Sequence, residues 1–172
     1  GEYLVIPVDD LTFAATNART SAPDLDLGNL RLASLNLLNY FETIDNGSHI
    51  YGLATDSGCL GADDAEEFAR QKAKIISAIV AMDADIMGLM EIENNGFDNT
   101  SAIADLVAGI NSEMGDGTYA ILNPGAPIGT DAITVAFIYK PAVVTLKGDA
   151  AILTSVNSVS DDSGVVLFDD TK

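Results

Sequence analysis

Two side chains with oxygen donors stand where apolar runs give out: Asn36, after Leu30-Arg31-Leu32-Ala33-Ser34-Leu35, and Glu91, after Ala84-Asp85-Ile86-Met87-Gly88-Leu89-Met90. A neutral amide oxygen beside a carboxylate suits a hard divalent cation, Mg²⁺ or in its place Ca²⁺ or Mn²⁺. Such an ion can act as a Lewis acid toward a carbonyl or phosphoryl oxygen. The plainer reading of Glu91 is a carboxylate that caps a loop or pairs with a surface lysine, since glutamates at strand ends are common. The metal reading requires both side chains on one rim, so the elements that carry them decide it.

Residues 84–90 read as a strand buried on both faces, because their apolar run is continuous rather than alternating. Residues 30–36 read as a shorter strand that delivers Asn36 at its far end. Between them the pattern predicts a helix from about Asp64 to Met82, with Asp63 as N-cap and Glu66 as its partner. Ala65, Phe68, Ala69, Ala73, Ile76, Ile79 and Val80 fall on one face at helical spacing, so this helix covers a sheet. Strand, helix, strand predicts two parallel strands joined by a right-handed crossover. Their carboxyl ends then share the edge at which ligands collect in open α/β sheets.

A second helix is expected over Ser101 to Ser112, capped by Asn99 or Thr100, with Ile103, Leu106, Val107 and Ile110 on one face. Strands are expected over 118–122, 132–139 and 143–146, the last two joined by a tight Lys140-Pro141-Ala142 turn, with a closing strand over Val165 to Phe168. The class is α/β, opening with a βαβ unit and finishing in a meander. Residues 1–28 read as an N-terminal extension, with a short strand near its start and a linker over 17–24, and residues 29–172 as the domain proper. The stretch Glu42 to Ala62 has little periodicity, and loops of that length inside a compact domain are usually functional or disordered. Its Asp45-Asn46-Gly47-Ser48 cluster reads as a turn, with too few ligands at fixed spacing for a calcium loop.

Four pieces of the chain, taken in order, resemble secreted bacterial nucleases of the endonuclease/exonuclease/phosphatase superfamily, of which pancreatic deoxyribonuclease I is a more distant relative. They are Ser34-Leu35-Asn36-Leu37-Leu38-Asn39-Tyr40-Phe41, Ala65-Glu66-Glu67-Phe68-Ala69-Arg70-Gln71, Gly88-Leu89-Met90-Glu91-Ile92-Glu93-Asn94, and Gly129-Thr130-Asp131-Ala132-Ile133 with Phe137-Ile138-Tyr139-Lys140-Pro141. The resemblance implies one half of a four-layer α/β/β/α sandwich. It implies that Asn36 and Glu91 hold the divalent ion, with Glu93 and Asn39 orienting them, and that Asp131, with Thr130 before it, lies where relatives contact the target phosphate. A loop aspartate that satisfies backbone donors explains Asp131 equally well. Tyr40 and Tyr139 are expected in the core or at an edge, and Arg70 on a solvated flank within reach of a phosphate.

The resemblance also implies what is missing. Relatives activate the attacking water with a histidine held by an aspartate, on later strands. The single histidine, His49, matches none of those positions. The chain therefore reads as the first part of the active site, inactive alone, with an apolar inner sheet face that the other half of the domain or another chain covers. The expected partner is nucleic acid, DNA in particular.

Composition bounds these readings. The chain has 172 residues, 48% of them hydrophobic and 20% charged, enough for one domain with a sizeable core. A net charge of −18, from 26 acidic against 8 basic residues, excludes a wide basic surface for holding nucleic acid. Divalent cations that bridge to phosphate, or environmental salt, weaken that objection. No apolar run reaches membrane-span length, so no membrane partner is expected. The chain starts at Gly1 without a Met or an apolar leader, so a signal peptide, if there is one, is already removed or lies outside it, and the secreted, bacterial localisation is what the resemblance implies. Cys59 is the only cysteine, so no disulfide forms within the chain. The rival from another class is a non-catalytic acidic secreted module that binds calcium or a partner protein.

Overall fold

Asp64 accepts a hydrogen bond from the Glu67 backbone N–H at 2.8 Å, and Glu67 in turn accepts from the Asp63 N–H at 3.0 Å. This reciprocal cap starts helix α1, Ala65–Met82, one residue later than the pattern suggests, because Asp64 rather than Asp63 takes the extended backbone of an N-cap. The structure is a computed structural model, and it describes residues 12–14, 16, 20, 28–45 and 60–166. His49, Cys59, most of the N-terminal extension and its linker, the turn after Asp45 and the end of the expected closing strand lie outside those residues.

The described chain is α/β: a mixed four-stranded sheet and two helices, in the order β1 (Leu32–Tyr40), α1, β2 (Ile86–Glu93), α2 (Ala102–Met114), β3 (Ala120–Ile121) and β4 (Ile133–Tyr139). The strands lie side by side as β1-β2-β4-β3. β1 and β2 are parallel neighbours, with α1 between them in the chain, while β4 is antiparallel to both β2 and β3. Met87, Leu89, Ala136 and Ile138 project from one face of the sheet into a single core with Ile79 of α1 and Ile103, Leu106 and Ile110 of α2. Fully burying an aliphatic side chain of this size stabilises the fold by about 1.5–3 kcal/mol.

The buried stripe of α1 is turned from the expected one. Phe68, Ile75, Ile76, Ile79 and Met82 pack on the core, whereas Ala65, Ala69 and Ala73 are exposed. The large side chains at helical spacing win the core face, since they carry more apolar area than alanines. α2 has the expected apolar face, but its N-cap is Ser101, whose hydroxyl accepts from the Ala104 N–H. The helices approach closely at Gly109, where an added Cβ would lie 2.5 Å from the Ile76 Cδ1.

Val143 to Leu146 forms no strand. A turn at 141–143 sends the Val143 and Val144 N–H groups to the Lys140 carbonyl, and Val143 and Leu146 are exposed. A β-branched run makes a strand only beside a ladder partner, and the described residues offer none here. Within the expected closing strand, Val166 makes one isolated bridge, to Ser160.

The end of the sheet where β1 and β2 begin is tied by charge. The Lys140 ammonium reaches Asp83 at 2.6 Å and Asp85 at 3.6 Å, and Arg31 reaches Asp83 at 3.3 Å. Hydrogen bonding from Lys140 first, then the Lys140 and Arg31 charges, holds the Asp83 carboxyl below its usual range. Beside it the Tyr119 hydroxyl donates to the Ala84 carbonyl, and burial, with Asp83 and Asp85 nearby, pushes that phenol up to about 12.

The other face of the sheet carries Leu32 and Asn36 from β1, Met90 from β2, and Val135 and Phe137 from β4. Leu32 is 67% exposed, Phe137 48%, Val135 47% and Met90 37%, so no described residue covers this face fully. Beside Val135 and Phe137 a hollow of about 320 Å³ is bordered by residues 150–153.

Candidate metal rim

The parallel register pairs Asn36 with Met90, so Asn36 and Glu91 reach the same end of the sheet on neighbouring strands. They do not terminate their strands, as the apolar runs suggest. Both strands run on, and each is bulged at this level. From Asn36↔Met90 to Tyr40↔Ile92, Leu37, Leu38 and Asn39 of β1 stand against Glu91 alone. On the other side of β2, Met90 and Glu91 stand against Val135 alone. Glu91 is thus outside the ladder on both sides.

The bulges rest on left-handed backbone at non-glycine residues: φ is +56° at Leu38, +54° at Asn39 and +59° at Glu91. Each such residue costs roughly 1–2 kcal/mol relative to a right-handed one. Strain of this kind persists where surrounding contacts over-determine it, and it gathers at functional sites. Bulges also re-aim a side chain beside such sites.

The supporting contacts are explicit. The Asn36 Oδ1 accepts the Leu38 N–H at 2.7 Å, which folds the first bulge and leaves the oxygen's second lone pair for another donor or a cation. From α1, the Gln71 Nε2 donates to the Leu38 carbonyl at 2.7 Å and the Leu37 carbonyl at 3.2 Å, oxygens that the broken ladder would otherwise leave unpaired. Glu91 is half-buried, and its carboxylate has no hydrogen-bond or ion-pair partner among the described residues. The alternative of a surface-lysine pair is thus not what the described residues form.

The residues after Glu91 anchor the loops that border the rim. Glu93, 1% exposed, accepts the Thr43 hydroxyl at 2.5 Å and the Thr43 N–H at 3.1 Å, which ties down the chain leaving β1. Asn94, fully buried, donates through Nδ2 to the Ile128 carbonyl at 2.9 Å and the Asp131 carbonyl at 3.0 Å. Its N–H donates to the Ala132 carbonyl at 2.8 Å. The loop that carries Thr130 and Asp131 is thereby held to the end of β2. The Asn94 Oδ1 has no partner among the described residues. Asp131 itself is exposed, and its Oδ1 accepts the Ala132 N–H, the local role that the loop-aspartate reading describes. Glu93 is thus engaged with Thr43, and Asn39 lies in the bulge with its carbonyl toward Gln71 at 3.5 Å.

Behind the rim lies a polar knot. The Tyr40 hydroxyl donates to Asp105 at 2.6 Å, and Lys72 reaches the other oxygen of Asp105. Burial, then the hydrogen bond and charge of Asp105, drive the Tyr40 phenol far above its ordinary range. Desolvation, then repulsion from Asp105 and Glu93, also raises Glu42. Tyr40 is a core aromatic, stacked obliquely on Phe68 at 5.2 Å, and Tyr139 is partly buried in β4.

Thr43 and the supporting roles of Gln71 and Asn94 were not visible in the sequence. One signal existed for Gln71: a polar residue inside the buried stripe of α1, between Phe68 and Ile75, needs hydrogen-bond partners. Among the described residues no three His, Cys, Asp or Glu side chains gather as a metal cluster. The oxygen donors that the register brings to this rim are one carboxylate and one amide oxygen. That donor set fits a hard, partly hydrated ion such as Mg²⁺. Compared with protein-family models, with curated proteins and with solved structures, the chain has no match.

Proposed function

We propose that the chain is the metal-binding first part of a secreted, Mg²⁺-dependent nuclease that hydrolyses phosphodiester bonds, DNA being the expected substrate. The observation that carries this reading is the paired bulge. Two neighbouring parallel strands break their ladder at one level and set Asn36 and an unpartnered Glu91 on a common rim. The motif resemblance supplies the chemistry. In its finer form, the proposal takes β1, α1 and β2 as the opening βαβ unit of a four-layer α/β/β/α sandwich. The exposed face with Leu32, Val135 and Phe137 supports that form, because sheet-on-sheet packing buries such a face.

Asn36 and Glu91 would hold the ion. When bound, it would polarise a phosphate oxygen and stabilise the leaving oxygen. The residues of this chain have three tasks. Asn36 presents an oxygen already oriented by Leu38, Gln71 keeps the bulge from relaxing, and Asn94 holds Asp131 at the border of the site. The general base comes from outside the chain, so isolated hydrolysis is poor.

Calorimetric titration with Mn²⁺ or Mg²⁺ tests the proposal. Wild type should bind one ion, and Glu91→Gln and Asn36→Ala should each weaken it at least tenfold, within the range seen when even supporting groups of a metal site are lost. Unchanged affinity in both variants refutes the site. Several ions, bound regardless of either substitution, favour the acidic calcium-binding module instead. Brisk DNA cleavage by the isolated chain, abolished by EDTA and by Asn36→Ala, would show that the missing-base part is wrong.

A further inference from the structure

Two of the chain's eight basic residues, Arg70 and Lys74, line one cleft of about 440 Å³ between α1 and the bulge of β1, together with Asn36, Asn39 and Gln71. Positive charge is scarce in this chain: of the six basic residues the structure describes, three are committed to carboxylates, and Lys147 is exposed away from the cleft. Arg31 and Lys140 are held by Asp83 and Asp85, and Lys72 by Asp105. Arg70 and Lys74 differ. Arg70 pairs with Glu66 at 3.0 Å, but both side chains are solvent-exposed, so the pair is weak and easily exchanged. Lys74 has no ion-pair partner among the described residues. The one carboxylate that lines the cleft, Glu67, is turned to the Asp63 N–H. The two cations lie four residues apart, hence on the same side of the helix.

We infer that this cleft is a phosphate track for a nucleic-acid strand, with Arg70 and Lys74 contacting the backbone phosphates that flank the one held at the Asn36/Glu91 rim. The inference rests on the nuclease reading and adds to it the path of the substrate. It also meets the objection raised by the net charge. A chain at −18 repels a polyanion over most of its surface, so a strand is held only where local charge reverses. Here the reversal adjoins the rim, because Asn36 belongs to both. Asn39 and Gln71 supply polar groups to the cleft wall, whereas a purely electrostatic patch would need none. Phosphate contacts fix register and orientation without reading bases, so the track predicts cleavage with little sequence preference.

The test is fluorescence anisotropy of a short labelled thymidine oligonucleotide with the full chain, across a NaCl series, with Mg²⁺ or with EDTA. The forms compared are wild type, Arg70→Gln/Lys74→Gln and Glu91→Gln. Glutamine has nearly the helix propensity of arginine and lysine, and both positions are exposed, so the double variant folds. It should bind about tenfold more weakly at low salt, and its plot of log affinity against log salt should flatten by about 1.4, or about 0.7 for each of two single-strand phosphate contacts. Glu91→Gln should keep the wild-type salt slope and lose the Mg²⁺-dependent part of the affinity. If the double variant keeps wild-type affinity and slope while Glu91→Gln loses the Mg²⁺ effect, the track is refuted and the nuclease reading stands. If the double variant weakens as expected but Mg²⁺ affects no form, the track stands and the metal site fails. Equal competition by polyglutamate of matched charge would reduce the cleft to a general anion patch and overturn the phosphate assignment. So would the absence of binding by wild type at low salt.

Discussion

Glu91 combines a left-handed backbone with the proposed metal-binding carboxylate, and replacing it with glycine separates the two. Its φ of +59° costs an L-residue roughly 1–2 kcal/mol, which glycine does not incur. Glycine also gives the unfolded chain more freedom, an opposing effect of about 0.4–1 kcal/mol. The difference leaves Glu91→Gly about 0.5–1 kcal/mol more stable than Glu91→Ala, which keeps the strain and loses the same carboxylate. Because that carboxylate has no partner among the described residues, Glu91→Ala should stay within about 0.5 kcal/mol of wild type. Urea unfolding of the three proteins, with thermal melts in which about 1 kcal/mol shifts the midpoint by roughly 2–4 °C, measures this order. Calorimetry on the same samples should show that both variants lose the ion. A glycine variant less stable than the alanine variant would mean that the left-handed backbone at Glu91 is not a stored cost and does not mark a functional position.

Three further outcomes follow from the contacts. Asn94→Ala removes two buried hydrogen bonds to the loop that carries Asp131 and should cost about 2–3 kcal/mol in urea unfolding. Hydrogen exchange should rise across 128–132, and a loss confined to α1 would contradict the assignment. Gln71→Leu should loosen the bulge, seen as faster exchange at 37–40 and a lower Mn²⁺ affinity, with global stability reduced by only about 1–2 kcal/mol. The Asp83 carboxyl, held below its usual range by Lys140 and Arg31, adds stability that is fully present above the unfolded-state pKa and is lost as pH falls through the lower folded-state value. Asp83→Asn should therefore destabilise by about 1 kcal/mol at neutral pH, a figure reduced for the exposure of the pair. The gap to wild type should close in acid, and a gap that is constant with pH would show that the charges contribute nothing.

Much of the frame was legible because it is periodic. The face of α2 was readable from Ile103, Leu106, Val107 and Ile110, and β2 from its unbroken apolar run. The parallel pairing of β1 and β2 follows from an amphipathic helix placed between them. Where periodicity does not decide, the fold departs from the local pattern. The N-cap of α1 moved one residue because adjacent aspartates, Asp63 and Asp64, are equivalent in type and only backbone geometry chooses between them. Val143 to Leu146 has the composition of a strand, but a strand needs a neighbour, and a local pattern does not say whether one arrives.

The candidate site divides in the same way. Side-chain type and spacing alone marked Asn36 and Glu91 as oxygen donors that a crossover helix would bring to one end of a sheet. The bulges were invisible at Leu38 and Glu91, which are not residues that announce left-handed backbone; Asn39 alone is of a type that favours it. Their conformation goes with a ladder that fails on both sides of β2 and with the partners that take up the freed groups of β1: Asn36 for the Leu38 N–H, and Gln71 from α1 for the Leu37 and Leu38 carbonyls. A one-dimensional pattern carries the period of a strand and the chemistry of its side chains. Which backbone groups lose their neighbours, and which distant side chain replaces them, is decided only when the helices and loops have packed.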